Sequence, residues 1–520
     1  MTVSRRSFVA STAVSRTIGD ADTDIVARTN TDALLHAAFD ADTFRADGGT
    51  MLERLAANLE AALHGTDLPV LPLLDPAAML ARWQTDFANG TERDTRTPSE
   101  ILDALTTRML ADATQLHHAG FVGHQVAPPL PLAALCDLTA DMLNNGMAVY
   151  EMGQPGTAME LHVIRWMCDT LGHGAKAGGV LTSGGTLATL TALLAMRQAR
   201  AGWNVWTDGN ANQPAAAVLV SEQAHYCADR AVRIMGWGAD GLVKVPVDGR
   251  FRMRIDQLEP ALMRARAAGR QVLGVVASAC STATGAFDEL EPIADFCATH
   301  NLWMHVDGAH GAALAVSAKH RDVLRGIDRA DSVIWDAHKM LLQPALVTAV
   351  LFKDQRHSAG AFSQEASYLL DTAHDDAWFD LASRTFECTK RTMSFKLYAT
   401  LAAYGPALLD AYVTRVVDLA ASFAGLLREQ PDFELAVEPQ CNIVCFRYRP
   451  AARAMDDASC DALQASVRRA VILRGNFYPV QTRLHGALWL RTTLMGPFTT
   501  IDDLARLLHE IRTVASQMQS

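Results

Sequence analysis

Two short motifs set chemistry-bearing side chains at the ends of apolar runs. His305-Val306-Asp307-Gly308-Ala309-His310 closes the run Leu302–Val306, and Asp336-Ala337-His338-Lys339 closes Ser332–Trp335. Functional groups of open α/β sheets gather at the carboxyl ends of strands, so Asp307 and Lys339, 32 residues apart, are expected at one rim. Taken alone, such a pair reads as a surface ion pair with two incidental histidines. Three further features change that reading. Thr182-Ser183-Gly184-Gly185-Thr186 leads into the helical run Leu187–Arg200, where small residues and a helix N-terminus let backbone N–H groups meet a phosphate. By itself this is also a plain helix cap, and it is neither a Walker A loop nor a G-x-G-x-x-G fingerprint. His225 follows the run Ala217–Val220, and the hydroxyl cluster Ser281-Thr282-Ala283-Thr284-Gly285 follows Val272–Ala277.

A phosphate loop, an imidazole, hydroxyls, a carboxylate and a lysine, each behind its own strand, are the parts that pyridoxal 5′-phosphate requires. Its aldehyde needs a lysine, its pyridine nitrogen a carboxylate, its phosphate a helix N-terminus, and its ring faces packing partners. His305, His310 and Cys280 are metal-ligand types, but no H-E-x-x-H pattern accompanies them and Asp307 between the histidines suits the pyridine nitrogen better. No metal is expected.

On these motifs the sequence resembles the group II pyridoxal-phosphate-dependent amino-acid decarboxylases of fold type I, the family of glutamate, aromatic amino-acid and diaminobutyrate decarboxylases. The likeness runs from roughly Leu116 to Met495. It implies Lys339 as the Schiff-base lysine, His338 beside it near the phosphate, and Asp307 on the pyridine nitrogen. It also implies Ala309 and His225 on the two ring faces, Thr282 in support of the cofactor, and Gly185 with Thr186 on the phosphate. Tyr368, in Ser363-Gln364-Glu365-Ala366-Ser367-Tyr368-Leu369, falls at the family's mobile-loop tyrosine, which protonates the decarboxylated intermediate. Arg491 matches an arginine that serves the substrate carboxylate in some members, and Thr389-Lys390-Arg391 to Lys396 matches the basic segment leading into the small domain.

The same resemblance implies a homodimer with the active site at the interface and the tyrosine loop arriving from the partner. In the substrate loop, where aromatic-selective relatives carry aromatic residues, this chain has His124 and Gln125. That points to decarboxylation of an L-amino acid with a polar side chain: diaminobutyrate, glutamate, aspartate or an analogue. The alternatives are an aromatic decarboxylase, an aldehyde synthase or aminotransferase on the same fold, and a non-enzymatic cofactor-binding scaffold.

The elements that must position these residues follow from periodicity. Leu52, Leu55, Leu59 and Leu63 keep a helical period that ends at Gly65, and a second helix starts near Ser99. His117-His118 is expected to cap a helix terminus. Between Gly179 and Lys353, short apolar runs alternate with helical stretches, the pattern of a buried, largely parallel sheet. Beyond Phe395, Leu408–Arg428 reads as a helix, Asn442–Tyr448 and Ala487–Thr492 as strands, and Thr500-x-x-Asp503 as the capping box of the last helix. The resemblance and the pattern together give an α/β fold-type-I enzyme: a helical segment over 1–125, a large domain with a mostly parallel, seven-stranded-type sheet over 126–395, and a smaller α+β domain over 396–520.

The net charge of −11 argues against a nucleic-acid or anionic-membrane partner. Nine scattered cysteines without a C-x-x-C pair suit reduced thiols in the cytoplasm. Ser4-Arg5-Arg6-Ser7-Phe8-Val9 resembles a twin-arginine signal, but the apolar stretch after it is too short. The uncharged run Ala177–Met196 is long enough to span a membrane, yet its glycines and hydroxyls suit a strand, a loop and a helix start.

Overall fold

A computed structural model describes residues 31–65, 68–84, 96–362, 379–450 and 455–518. The residues through Glu60, with Leu74–Ala113, form one compact unit, and Ala61–Leu73 with Thr114 onward form a second. In the first, the helix Pro98–Asp112 opens with a capping box between Thr97 and Glu100. Arg54 donates to Asp103 at 2.8 Å across that unit. The helix Ala41–His64 ends at Gly65, whose φ of +64° is the left-handed conformation that the sequence predicts there.

The second unit is built on seven strands: β1 (Gly178–Thr182), β2 (Ala215–Ser221), β3 (Leu242–Val245), β4 (Arg270–Ser278), β5 (Trp303–Asp307), β6 (Ser332–Asp336) and β7 (Thr348–Phe352). Their spatial order is β1-β7-β6-β5-β4-β2-β3. β2 to β6 run parallel to one another, while β7 is antiparallel to both β1 and β6. Both faces are buried. On β6 and β7, Ile334, Val350 and Phe352 point to the layer of the helix Gly185–Arg200, with its Ala188, Ala192 and Leu193. Val333, Trp335, Ala349 and Leu351 point to the opposite layer, with Val163, Ile164 and Met167 of the helix Gln154–Thr170. Continuous apolar strands of this kind are what a two-sided sheet demands. The span Ala177–Met196 is β1, a turn and the start of the helix Gly185–Arg200, and no described helix is long and apolar enough to cross a membrane.

The same unit carries a second, antiparallel sheet of β8 (Phe433–Leu435), β9 (Ile443–Tyr448), β10 (Val480–Leu484) and β11 (Ala487–Thr493), in the order β10-β11-β9-β8. The helix Ile501–Gln517 behind it starts with the Thr500/Asp503 capping box. The helix expected at Leu408–Arg428 is present, opening at Pro406 after a break at Gly405 (φ +65°), and a further helix over 394–404 precedes that break. One expectation needs correction. His117 and His118 lie past the helix end at Asp112. His117 Nε2 sits 3.0 Å from the Pro129 carbonyl, and His118 Nδ1 accepts the Gly120 N–H.

Candidate active site

Eight of the residues singled out in the sequence line one cavity of about 200 Å³: Gly185, Thr186, His225, Thr282, Asp307, Ala309, His338 and Lys339. It opens where β1, β2, β4, β5 and β6 end. Parallel strands make this convergence unavoidable, because each delivers its carboxyl end to the same rim. Gly184, with φ +139°, turns the chain out of β1 into the helix Gly185–Arg200, whose first N–H groups have no partner within the helix. A Cβ on Gly185 would stand 3.2 Å from Asp336 Oδ1, so glycine keeps the helix start close to the end of β6.

His225 caps the helix Tyr226–Ile234, its Nδ1 accepting the Cys227 N–H at 3.3 Å. Asp307 accepts the Ala309 N–H at 3.2 Å. At the end of β6, Lys339 Nζ lies 2.9 Å from Asp336 Oδ2, and Thr348 Oγ1 donates to Asp336 Oδ1 at 2.6 Å. His338 shares its Nδ1 with Val347, 2.9 Å from the carbonyl.

Burial pushes Asp307 up, only partly countered by Lys339 and His225. Burial works against the charge of Asp336 as well, but Lys339, His338 and the Thr348 hydroxyl outweigh it and leave its pKa below the usual carboxylate range. His225 is lowered by burial despite Asp307, and His310 is lowered to about 3 by burial and the Lys339 charge, so both imidazoles are neutral near pH 7.

Four predicted residues stand outside that lining. His124 bonds the Tyr478 hydroxyl at 2.9 Å, and Gln125 follows it, half-buried. Arg491, on β11, is 7% exposed, and its Nε and Nη2 have no hydrogen-bond partner among the described residues. Its charge is felt by His124 on one side and by His310 on the other. Tyr368 and the segment Ser363–Leu369 lie outside the described residues, as does the Ser4–Val9 start.

The one sign of Asp336 in the sequence is a carboxylate three residues before the lysine. Lys390 stands in the sequence only as part of a basic segment. Lys390 Nζ is buried 2.6 Å from Glu160 Oε1 and donates to the Leu181 carbonyl at 2.7 Å. Glu160 Oε1 also accepts the Leu181 N–H, so the pair braces β1 one residue before Thr182, where the turn into the helix Gly185–Arg200 begins.

These residues fit pyridoxal phosphate. The cavity presents one lysine amine, a second carboxylate across from it, and a helix start kept open by the missing side chain of Gly185. A larger cleft of about 600 Å³, lined by His118, Arg474, Arg506 and Glu510 among others, has no lysine and cannot serve that aldehyde.

Fold and site together define a pyridoxal-phosphate enzyme of fold type I. The model of the pyridoxal-dependent decarboxylase conserved domain matches residues 120–449, and the chain belongs to that family. It is a pyridoxal-phosphate-dependent amino-acid decarboxylase, a carboxy-lyase. An L-2,4-diaminobutyrate decarboxylase from Acinetobacter baumannii is 29% identical over 81% of this chain and 84% of its own length. An aromatic-L-amino-acid decarboxylase from Bacillus atrophaeus is 27% identical over 81% and 86%. Among solved structures, the glutamate decarboxylase domain of a diaminobutyrate-pyruvate transaminase and L-2,4-diaminobutyrate decarboxylase from Vibrio parahaemolyticus superposes with a TM-score of 0.78. It is 25% identical and covers 91% of this chain and 96% of that one.

Proposed function

We propose that the chain removes the α-carboxylate of an L-amino acid with a polar side chain, 2,4-diaminobutyrate first among them, releasing the amine and CO₂. Pyridoxal phosphate, when bound, supplies the electron sink for the pair left on the α-carbon. The protein's part is to hold and orient. Lys339 binds the cofactor's aldehyde end, and Gly185 and Thr186 donate to its phosphate. Asp307 keeps a proton on the pyridine nitrogen, and the short supply of donors around its carboxylate supports that role, since a cationic N–H would complete it. Neutral His225 and the small Ala309 flank the ring, with Thr282 and His338 supporting it. Arg491 takes a substrate carboxylate, and Tyr368 returns a proton to the α-carbon.

The observation that carries the substrate reading is the buried Arg491, whose charge reaches both His124 and the cavity-lining His310. A buried guanidinium with two unpaired nitrogens calls for an anion. Beside it, the His124–Tyr478 hydrogen bond and Gln125 offer polar groups where an aromatic ring would need apolar walls. The decisive experiment is CO₂ release from a panel of L-amino acids with the holoenzyme. Diaminobutyrate, glutamate and aspartate are expected to outrun phenylalanine, tyrosine and tryptophan; the reverse order would overturn the reading.

The working form is a cytoplasmic homodimer whose two sites lie at the interface. Supporting the dimer, Leu135, Leu138, Met142 and Leu143 of the helix Pro131–Leu143 are exposed, Met142 and Leu143 each at 64%. Supporting the compartment, none of the nine cysteines is in a disulfide. Sedimentation at micromolar concentration is expected to give twice the chain mass, and a single-chain mass would remove the dimer.

A further inference from the structure

We propose that Asp336 is a positioning residue for Lys339: a built-in counter-ion that receives the Lys339 ammonium whenever that amine is not bonded to the cofactor. The proposal rests on the reading of Lys339 given above and adds a partner to it.

The local geometry is specific. β6 ends at Asp336, and the chain turns at once, the Lys339 N–H reaching the Asp336 carbonyl at 3.3 Å. That turn folds the lysine back until Nζ is 2.9 Å from Oδ2. The other carboxylate oxygen is already taken, by the Thr348 hydroxyl at 2.6 Å. Thr348 is in place because antiparallel β7 sets it directly opposite Asp336. The carboxylate, 2% exposed, is therefore fixed in rotation with one oxygen aimed at the lysine. It also lies against the helix start, since a Cβ on Gly185 would meet Oδ1 at 3.2 Å. A carboxylate beside a phosphate-binding helix start opposes the arriving phosphate unless a cation answers it. Among the described residues its ionic partners are Lys339 and the His338 ring, whose Nε2 is 3.5 Å away.

The groups electrostatically coupled to Lys339 are the carboxylates of Asp336 and Asp307, the thiols of Cys227 and Cys280, and the imidazoles of His225 and His310, and the His338 ring lines the same cavity. Burial favours the neutral amine, yet Asp336, by charge and hydrogen bond, and then Asp307 reverse the sign and raise Lys339 above an ordinary lysine. A lysine poised only by burial would shift the other way. The two accounts of how this amine is set thus differ in direction.

The test is competitive acetylation of the cofactor-free full-length protein with trace acetic anhydride across pH. The readout is mass spectrometry of the Lys339 peptide against exposed Lys244 as internal reference. In the wild type, the pH midpoint for Lys339 is expected at or above that of Lys244. In Asp336→Asn it is expected to fall by about 1–3 pH units, while Asp336→Glu, which keeps the charge, stays near the wild type. A wild-type midpoint clearly below that of Lys244 would overturn the proposal, and so would a folded Asp336→Asn protein with an unchanged midpoint. Should Asp336→Asn fail a thermal-melt check, the wild-type arm decides by itself. Borohydride reduction of the wild-type holoenzyme with peptide mapping tests the Lys339 assignment separately: pyridoxyl on another lysine defeats that reading, whereas the midpoints bear on Asp336 alone.

Discussion

The carboxyl ends of β5 and β6 are neighbours on one sheet edge, and each presents an aspartate to the same cavity, yet the two acids are driven in opposite directions. At the β6 end, Asp336 has a hydroxyl on one oxygen and an ammonium on the other, and its charge is settled within the protein. At the β5 end, Asp307 has one backbone N–H at 3.2 Å and a thiol 3.9 Å away, and the loss of solvent dominates. Desolvation opposes the charge of both, so the cations and donors around each decide which carboxylate keeps its charge. The difference separates a carboxylate answered by its own protein from one with a single close donor, and the pyridinium partner proposed for Asp307 would be the second.

Four experiments test that contrast. Lys339→Ala removes the cation from the β6 end together with the amine proposed to hold the cofactor. Loss of multiple-turnover CO₂ release and of the cofactor absorbance that borohydride quenches is expected, and a variant that still turns over would void the site. Asp307→Asn strikes the β5 end. Turnover is expected to fall on the order of 10²–10³-fold, as for removal of a preorganised charge partner, with cofactor affinity, measured by fluorescence titration, changed far less. Near-normal turnover would strip Asp307 of its role. Tyr368→Phe asks whether the two strand ends suffice without a proton donor from elsewhere. CO₂ should still be released, but product analysis under air is expected to show aldehyde and ammonia in place of much of the amine, and clean amine at wild-type rate would exclude Tyr368. Thr186→Val, at the helix start facing Asp336, is expected to weaken cofactor binding by about 1.5–3 kcal/mol through loss of a hydroxyl donor to a charged acceptor. Unchanged affinity would reduce that turn to a helix cap.

Much of this was legible in the residues because strand ends advertise themselves. A buried strand is an apolar run, and the first polar groups after it are bound for the rim, so Asp307, Lys339, His225 and Thr282 could be gathered without coordinates. Contacts that depend on which strands become neighbours were not legible. Thr348 reaches Asp336 only because β7 inserts antiparallel between β1 and β6, and nothing in Leu346–Phe352 announces its direction. Lys390 finds Glu160 across 230 residues, and a lysine beside an arginine gives no local sign of its 2% exposure. Gly405-Pro406 is ordinary helix-breaking punctuation, and it does break the chain there, separating the helix that was expected after it from the one over 394–404 that was not. β8 and β10 are short or half-exposed, with too few apolar positions to mark a strand.

The reversed strand has a consequence in time as well as in space. Thr182, at the turn into the helix Gly185–Arg200, gains its sheet neighbour from Thr348, 166 residues later in the chain. On the ribosome, β1 emerges long before β7, and it cannot join the sheet until the strand that separates it from β6 has been made. Contacts of such long range form slowly, because the loop they close must be ordered before they yield any stabilisation. The apolar edge of β1 must meanwhile wait unpaired, a stretch suited to chaperone binding and to mispairing with a second nascent chain. A stalled chain that ends before Phe352 should accordingly fail to retain the cofactor, however complete its lysine motif.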